Sequence, residues 1–210
     1  AQEPLLEMSM GTYLSVIGNK FGNKEDRQFY LDRAEAVLDQ TKQSREHYGI
    51  IYFYAGMYAE NDAAAEKQYR KVLAILPADE SWWERDRARE HLTRLLINQS
   101  RWDEALGLYS NTGKLDVAEE LMVSSIHAAR QDLQQAEAHG LAAFKMANLS
   151  GQKYHALDAA LALLVIYESA NQPEKMPLYK QFIAKEAENF SFWIKVNRDS
   201  LERFSISVGR

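Results

Sequence analysis

The sequence predicts an all-α fold, and three observations support that prediction. The chain of 210 residues contains four prolines and ten glycines, fewer than a fold of strands and tight turns normally needs. Apolar residues recur at helical spacing in most segments, whereas the strict alternation of a half-buried strand is hard to find. Short polar stretches between these segments supply residues that begin and end helices. We therefore expect about eleven helices in a single domain, residues 1–210.

Composition narrows the class of function as well as the class of fold. Hydrophobic residues make up 46% and charged residues 26%, which is ordinary for a folded chain and argues against disorder. The net charge of −5 argues against a nucleic-acid binder, which normally carries a basic excess. The absence of cysteine excludes disulfides, thiolate catalysis and zinc–thiolate sites. No run of about 18 apolar residues occurs, so we expect no membrane insertion.

The cellular location stays open at this point. No signal peptide is visible, and this favours a cytoplasmic location. A chain that begins Ala1-Gln2-Glu3 would also fit the mature end of an exported, periplasmic protein, or a segment cut from a longer chain.

The helices of the first half are predicted from apolar spacing and from the polar residues between them. The first predicted helix is short and apolar, and it ends at Gly18-Asn19. Asn61-Asp62 can cap the helix that follows a segment dense in aromatic residues. Ser81 and Glu84 have the spacing of a capping box, and Pro77 separates that helix from the one before it. The predicted helices are Pro4–Ile17, Asp26–Thr41, Arg45–Glu60, Asp62–Leu76 and one from Ser81 that buries Ala88, Leu92, Leu95 and Leu96.

The helices of the second half follow the same logic. Ser100 has the position of a cap before a short helix that runs through Tyr109. Either Pro173 or Pro177 can be the first-turn proline of the last long helix. The predicted longer helices are Leu115–Arg130, Asp132–Asn148, Gly151–Ala170 and Pro173–Asn189, and residues 191–208 can form a final helix.

The segment Asp62–Pro77, DAAAEKQYRKVLAILP, resembles the second half of a tetratricopeptide repeat (TPR). Ala65, Tyr69 and Pro77 stand at the small, aromatic and proline positions of the pattern A-x3-F…P, where two helices pack closely. Tyr52-x2-Ala55-Gly56 matches the first half of the motif loosely. Equivalent positions recur at intervals of 31 and 40 residues, on either side of the roughly 34 residues of a TPR unit. Small residues occupy the first four, Ala34, Ala65, Ala105 and Ala136, and Met176 occupies the fifth.

The resemblance implies both a fold and a kind of function. It implies a right-handed α-solenoid of about five antiparallel helical hairpins over residues 26–189, with residues 190–210 as a capping tail. The first helix of each hairpin would line a concave face, and such faces usually bind other proteins. The uneven spacing implies a degenerate array, similar to those used as sensing or docking domains in bacterial regulators.

Aligning Pro77 with the last position of the TPR motif implies which residues line this groove. The first two hairpins would contribute His47, Ile50, Tyr54, Met57, Tyr58, Arg87, His91, Arg94 and Asn98. Later hairpins would contribute Leu121, Ser125, Ala128, Asp158, Leu161, Val165 and Glu168.

The cationic residues of the predicted groove have two interpretations. Arg87, His91 and Arg94 share one helical face, and arginine forks suit an acidic peptide or another anion. The alternative is a solvated helix face on which Asp86 and Glu90 neutralise the arginines.

The aromatic residues between Tyr48 and Tyr58 also have two interpretations. They are too dense on one helix to be explained by a single buried face. Part of this aromatic surface either lines the groove or packs against helices on both sides. The neighbouring Trp82-Trp83 pair is predicted to be half buried, as in a hydrophobic staple at a helix start, and not to form a ligand-binding surface.

The sequence contains no pattern that supports catalysis or a metal site. The five histidines form neither an HExxH nor an ExxH pair, so we predict no catalytic residue, metal or cofactor. The leading hypothesis is a non-enzymatic scaffold or adaptor that binds a peptide or helix of a partner protein, with an acidic segment opposite the arginines. The alternative is a sensory or regulatory domain of a larger bacterial regulator that binds a small ligand or a signalling peptide. Self-association into a homo-oligomer also stays open.

Overall fold

The computed structural model describes Ala36 and residues 45–77, 80, 82–110 and 113–208, and for residues 45–47 it describes the backbone alone. Every regular element within these ranges is a helix, which confirms the all-α prediction. The described chain forms two compact units, unit 1 up to Asn98 and unit 2 from Gln99 onward. The predicted helix Pro4–Ile17, all of Asp26–Thr41 except the helical residue Ala36, and the capping residue Ser81 lie outside the described residues. The single-domain solenoid stays a prediction.

The described helices of unit 1 are α1 (Arg45–Met57), α2 (Asp62–Ile75) and α3 (Trp83–Asn98). Asn61 caps α2 as predicted, because its side-chain oxygen accepts a hydrogen bond of 2.9 Å from the backbone N–H of Ala64. Leu76 ends α2 in an extended conformation, which is the backbone that a following proline favours.

These helices share one apolar core. The α1 helix packs on α2, α2 packs on α3, and α1 also contacts α3. Arg85 joins the last turn of α2 to α3, because its Nη1 donates hydrogen bonds of 2.7 and 2.9 Å to the carbonyls of Leu73 and Leu76. The buried side chains of this core include Ile51, Phe53, Tyr69, Val72, Leu92 and Leu96.

Unit 2 follows the predicted order of helices with small differences in their bounds. Short 3₁₀ turns, Pro173–Lys175 and Ala187–Asn189, flank the helix Met176–Glu186. Pro173 and Pro177 each occupy a first-turn position, the former in the 3₁₀ turn and the latter in α8. The described helices are α4 (Trp102–Gly107), α5 (Val117–Ala129), α6 (Leu133–Leu149), α7 (Lys153–Ser169), α8 (Met176–Glu186), α9 (Ser191–Val196) and α10 (Arg198–Arg203).

Small residues allow α5, α6 and α7 to approach one another closely. Ala136, Ala143 and Ala147 of α6 are fully buried. The buried hydroxyl of Ser124 on α5 donates a hydrogen bond of 2.7 Å to the carbonyl of Ala136. This bond satisfies a polar group that would otherwise be costly to bury between two helices. Consecutive helices in this part of unit 2 therefore contact each other along their lengths.

One predicted helix start is wrong. Ser100 was expected to cap α4, but α4 begins after Arg101, and Ser100 has a left-handed backbone with φ of 58°. A residue in that conformation typically ends a helix rather than starting the next one. Arg101 binds Glu104 across 2.7 Å between Nε and Oε1. The α4 helix also ends at Gly107, before the predicted Tyr109.

The tail after α8 forms two short helices in place of the single final helix predicted for residues 191–208. Trp193 is fully buried, and its Nε1 donates a hydrogen bond of 2.6 Å to Oδ1 of Asp158 on α7. Leu201 and Phe204 belong to the same buried cluster, together with residues of α7 and α8. The tail therefore packs on the last long helices of unit 2.

Asp116→Ala is expected to lower the free energy of unfolding of unit 2 by about 1 kcal/mol. The Asp116 carboxylate accepts a hydrogen bond of 2.9 Å from the Glu119 N–H, and the Glu119 carboxylate accepts one of 2.9 Å from the Asp116 N–H. This capping box satisfies two N–H groups at the start of α5. Urea denaturation measures the loss. Asp116→Asn keeps an acceptor and should lose much less, so equal losses would contradict the capping role.

Candidate functional site

The α1 helix of unit 1 presents two different faces. Ile51 and Phe53 are buried in the core, whereas the opposite side of the helix reaches the surface. The residues predicted for the groove are partly or largely exposed here: Ile50, Tyr54, Met57 and Tyr58. The side chain of His47 lies outside the described residues. Tyr52 and Phe53 are therefore packed inside the unit, Tyr54 and Tyr58 stay partly exposed, and the groove that they would line stays a prediction.

Four aromatic rings contact one another in series between the end of α1 and the start of α3: Tyr58, Tyr54, Phe53 and Trp83. We call this set of rings the aromatic chain. The centroids of the Tyr58 and Tyr54 rings are 6.1 Å apart with an interplanar angle of 12°. The Phe53 ring meets Tyr54 at 5.5 Å and Trp83 at 5.3 Å, both edge to face. These are the separations of favourable aromatic pairs. Since Trp83 is 52% exposed, the series ends at the surface of α3.

Trp83 is more exposed than the half-buried staple that the sequence predicted. Trp83, Arg87, Arg94 and Asn98 are separated by four, seven and four residues, so they share one face of α3. All four are exposed. The spacing from Arg87 is the sequence signal that places Trp83 on this face.

Arg87, Glu90 and Arg94 form a set of ion pairs on α3 that we call the arginine triad. Nη1 of Arg87 lies 2.8 Å from Oε2 of Glu90, and Nη2 of Arg94 lies 2.9 Å from Oε1. The two arginine side chains are 62% and 61% exposed. Asp86, the other residue expected to neutralise them, binds Arg89 instead, at 3.3 Å. Because two guanidinium groups share one carboxylate, the triad retains one net positive charge.

The charge state of Glu90 depends on opposing influences. Burial, the largest single influence, would raise the pKa of Glu90, since it disfavours the charged form. The hydrogen bonds and positive charges of Arg94 and Arg87 together outweigh burial, and the pKa of Glu90 is lowered. Glu90 is therefore ionised at neutral pH and holds both arginines.

His91 does not join the arginines, although it shares their helical spacing. Its ring stacks on Tyr69 at 5.4 Å and 17°, and it meets the edge of Phe53 at 5.9 Å. Burial lowers the pKa of His91, and the charges of Arg94 and Arg87 add to this effect while Glu90 opposes it. The imidazole is therefore neutral at neutral pH and belongs to the aromatic packing of unit 1.

Acidification is expected to destabilise unit 1 through His91. Its native pKa lies below the ordinary value of 6.5, so the unfolded chain takes up this proton first. The stability present above pH 6.5 is lost as the pH falls toward the native pKa, by at most about 1.4 kcal/mol per pH unit. Glu90, whose pKa is also lowered, adds its own loss only below pH 4.5.

His91→Phe retains a ring against Tyr69 but removes the titrating group. Urea denaturation at several pH values from 7 to about 5 should show a smaller loss of stability in the variant than in the original chain. Equal pH dependence in the two chains would contradict the role of His91.

The predicted groove residues of the last hairpin contact the tail of unit 2. Trp193 binds the carboxylate of Asp158, and Arg203 binds that of Glu168. Leu161 and Val165 pack against the buried cluster that contains Trp193. The tail therefore contacts this side of α7, and Glu168 stays exposed at the end of the helix. The residues predicted on α5 are partly or fully exposed: Leu121, Ser125 and Ala128.

Two further features are absent from the described ranges. They contain no group of three His, Asp or Glu side chains placed to hold a metal ion. None of the described helices is both long enough and apolar enough to cross a membrane. The chain matches no protein-family model, no curated protein and no solved structure. The TPR resemblance therefore stays a prediction that rests on its own residues.

Proposed function

We propose that this chain is a non-enzymatic protein-interaction module and that unit 1 binds a peptide or helix of a partner protein. The observation that carries the proposal is the position of the aromatic chain beside the arginine triad. Trp83 and Arg87 are one helical turn apart on α3, and Trp83 contacts Phe53 of α1. Apolar contact area and positive charge therefore lie side by side. This pairing suits a segment that carries an aromatic or aliphatic anchor next to acidic residues.

The aromatic side of the surface supplies most of the affinity. Tryptophan and tyrosine bury a large area with few rotatable bonds, and they are enriched among the residues that dominate binding energy. Trp83 and Met57 are 52% and 41% exposed, so a partner side chain can cover them. Covering them removes apolar surface from water, which is the main favourable contribution to association.

The arginine triad supplies orientation and specificity. A guanidinium group has five N–H donors, and Glu90 occupies only some of those of Arg87 and Arg94. The exposed remainder can bind an acidic side chain of the partner. Attraction of this kind accelerates association and selects the register of the bound segment, and salt weakens it.

We further propose that the helices form a TPR-like, right-handed solenoid with a capping tail. Contacts between next-but-one helices support this, since α1 contacts α3 in unit 1 and α5 contacts α7 in unit 2. Gly56 of α1 packs against Tyr69 of α2, and both stand at glycine and aromatic positions of the motif that the sequence resembles. Small-angle scattering tests the proposal. A radius of gyration near the roughly 17 Å of a compact globule of this length would contradict it.

Peptide display on the whole protein tests the interaction proposal. A library of random peptides should yield sequences that combine an aromatic or aliphatic residue with acidic residues. A selected peptide is then titrated by fluorescence anisotropy against Tyr54→Ala, Trp83→Ala and the double variant Arg87→Gln/Arg94→Gln. Each variant should weaken binding about tenfold or more. The double variant should also show a smaller dependence of affinity on salt.

Lys67→Gln provides the matched control. Lys67 is an exposed cation on α2 of the same unit, and it belongs to neither the aromatic chain nor the arginine triad. Its removal should leave affinity unchanged, and circular dichroism should show that every variant is folded. Unchanged binding in Trp83→Ala and in the double arginine variant would place the interface elsewhere. A folded protein that enriches no peptide would overturn the proposal.

A further inference from the structure

The start of α5, the end of α6 and the start of α7 surround an open cavity on the surface of unit 2. We call it the surface cavity, and its volume is about 480 Å³. Val117, Ala118 and Met146 give it largely apolar walls, and Asp116 and Leu149 also line it. This volume is within the roughly 300–1,000 Å³ of sites that receive drug-sized molecules, so the cavity has room for a leucine side chain.

Leu149 is an exposed apolar residue at the edge of this cavity. It is 79% exposed, the largest exposure among the bulky apolar residues that the structure describes. Leu141, two helical turns earlier on the same side of α6, is exposed as well. Single apolar residues are common on protein surfaces, but this leucine adjoins an apolar concavity. Continuous apolar surface of this kind is typical of an interaction site.

The exposed leucine and the concavity lie side by side, which makes this surface complementary to itself. In a dimer with two-fold symmetry, the same surface of each copy meets the other. Each Leu149 can then enter the surface cavity of the other copy, so that one interface contains both insertions. An unrelated partner would have to supply a matching cavity and a matching side chain of its own.

The charges on this surface are complementary in the same way. Lys145 is exposed one helical turn before Leu149, and it forms no ion pair with any residue that the structure describes. Asp116 lines the cavity, and its Oδ1 accepts the hydrogen bond from the Glu119 N–H. Oδ2 of Asp116 is therefore available to a cation. The cation beside the entering leucine would meet an acid of the receiving surface, which favours a second copy as the occupant.

We propose that two copies of this chain associate through this surface as a two-fold dimer, with Leu149 of each copy in the surface cavity of the other. Burial of the leucines supplies the affinity, and pairs between Lys145 and Asp116 select the register. The surface includes only the ends of three helices, so the dissociation constant is expected to be micromolar or weaker. The inference concerns unit 2 and does not depend on the peptide surface proposed for unit 1.

Sedimentation velocity of the whole protein tests the dimer. Samples from about 1 to about 500 μM should show an average mass that rises from the 24.1 kDa of one chain toward twice that value. The mass should not rise further, because a two-fold interface closes on itself.

Two changes on α6 test the entering side chain and its neighbouring cation. Leu149→Asp puts a charge into the apolar cavity and should weaken dimerisation about tenfold or more. Lys145→Glu places a like charge opposite Asp116 and should weaken it about fivefold, whereas Lys145→Arg should not. Leu178→Asp is the matched control, since Leu178 is also an exposed leucine of unit 2 but does not line the cavity. It should leave dimerisation unchanged.

Blocking the cavity tests the receiving half of the interface independently of Leu149. The chain contains no cysteine, so Ala118→Cys introduces a single exposed thiol at the cavity wall. The unmodified variant should dimerise under reducing conditions, and the adduct with N-ethylmaleimide should be monomeric because the added group fills the cavity. Ser169→Cys, exposed at the other end of α7, should dimerise with or without the adduct.

Three results would overturn the inference. A chain that stays monomeric up to the highest concentration would leave the surface cavity to a different occupant. A mass that continues to rise beyond two chains would contradict a closed two-fold interface. A dimer that survives both Leu149→Asp and the Ala118→Cys adduct would place self-association on another surface. Circular dichroism should show that each variant is folded, as expected for changes at exposed positions.

Discussion

Trp193→Ala is expected to lower the free energy of unfolding of unit 2 by about 3–5 kcal/mol. Trp193 is fully buried between the tail and the last long helices, and its removal would leave a large cavity. The hydrogen bond of 2.6 Å from Nε1 to Asp158 would be lost as well. Urea denaturation followed by circular dichroism measures the loss without relying on the indole that the variant removes.

Phe192→Ala is the matched control, because it removes an aromatic ring from the adjacent position. Phe192 is 66% exposed, so this change should alter stability by less than about 0.5 kcal/mol. Similar losses in the two variants would show that the tail is not anchored by Trp193. Trp193→Phe should fall between them, since it keeps most of the ring volume but not the donor.

Gly56→Val is expected to destabilise unit 1 by about 3 kcal/mol. A Cβ atom at Gly56 would lie 2.6 Å from Cε1 and 2.8 Å from Cδ1 of Tyr69. Tyr69 is a buried ring that also stacks on His91, so it has little freedom to move away. The strain should exceed the gain in helix propensity that replacing a glycine brings. Thermal and urea denaturation measure the effect.

Gly107→Val tests whether steric conflict or glycine replacement itself causes the loss. A Cβ atom at Gly107 would meet no other atom within 4 Å. This variant should therefore change stability by no more than about 0.5 kcal/mol. If Gly56→Val were equally neutral, α1 and α2 would not approach each other as closely as the structure shows.

The helices were largely predictable because many of their signals are local. Asn61 caps α2 through a bond to a residue three positions away, and Pro77 restricts the residue before it. The start of α4 was not predictable in this way. Ser100, Gln131 and Asn171 adopt left-handed backbones with φ of 58°, 66° and 52°, positions at which glycine is the usual signal. Without glycine, a serine between two helices resembles a cap for the second one.

The candidate site was predictable only as far as helical spacing determines it. Spacing placed Arg87, Arg94 and Asn98 on one exposed face of α3. It could not separate His91 from them, because contacts with Phe53 and Tyr69 on two other helices decide the environment of its ring. The contact between Phe53 and Trp83 is likewise tertiary, and it is the one that joins the two helices of the proposed surface.

On the proposed binding surface, Glu90 would compete with the acidic groups of a partner for Arg87 and Arg94. It already supplies the carboxylate that a partner would offer to Arg87 and Arg94. A partner with a single acidic group would therefore meet guanidinium groups whose charge Glu90 already partly compensates, and exposed ion pairs of that kind contribute little. A segment with several acidic groups can displace or outnumber Glu90 and bind both arginines. On the proposed surface, Glu90 would thereby favour partners with several negative charges, and the selectivity would come from an acidic residue as much as from the basic ones.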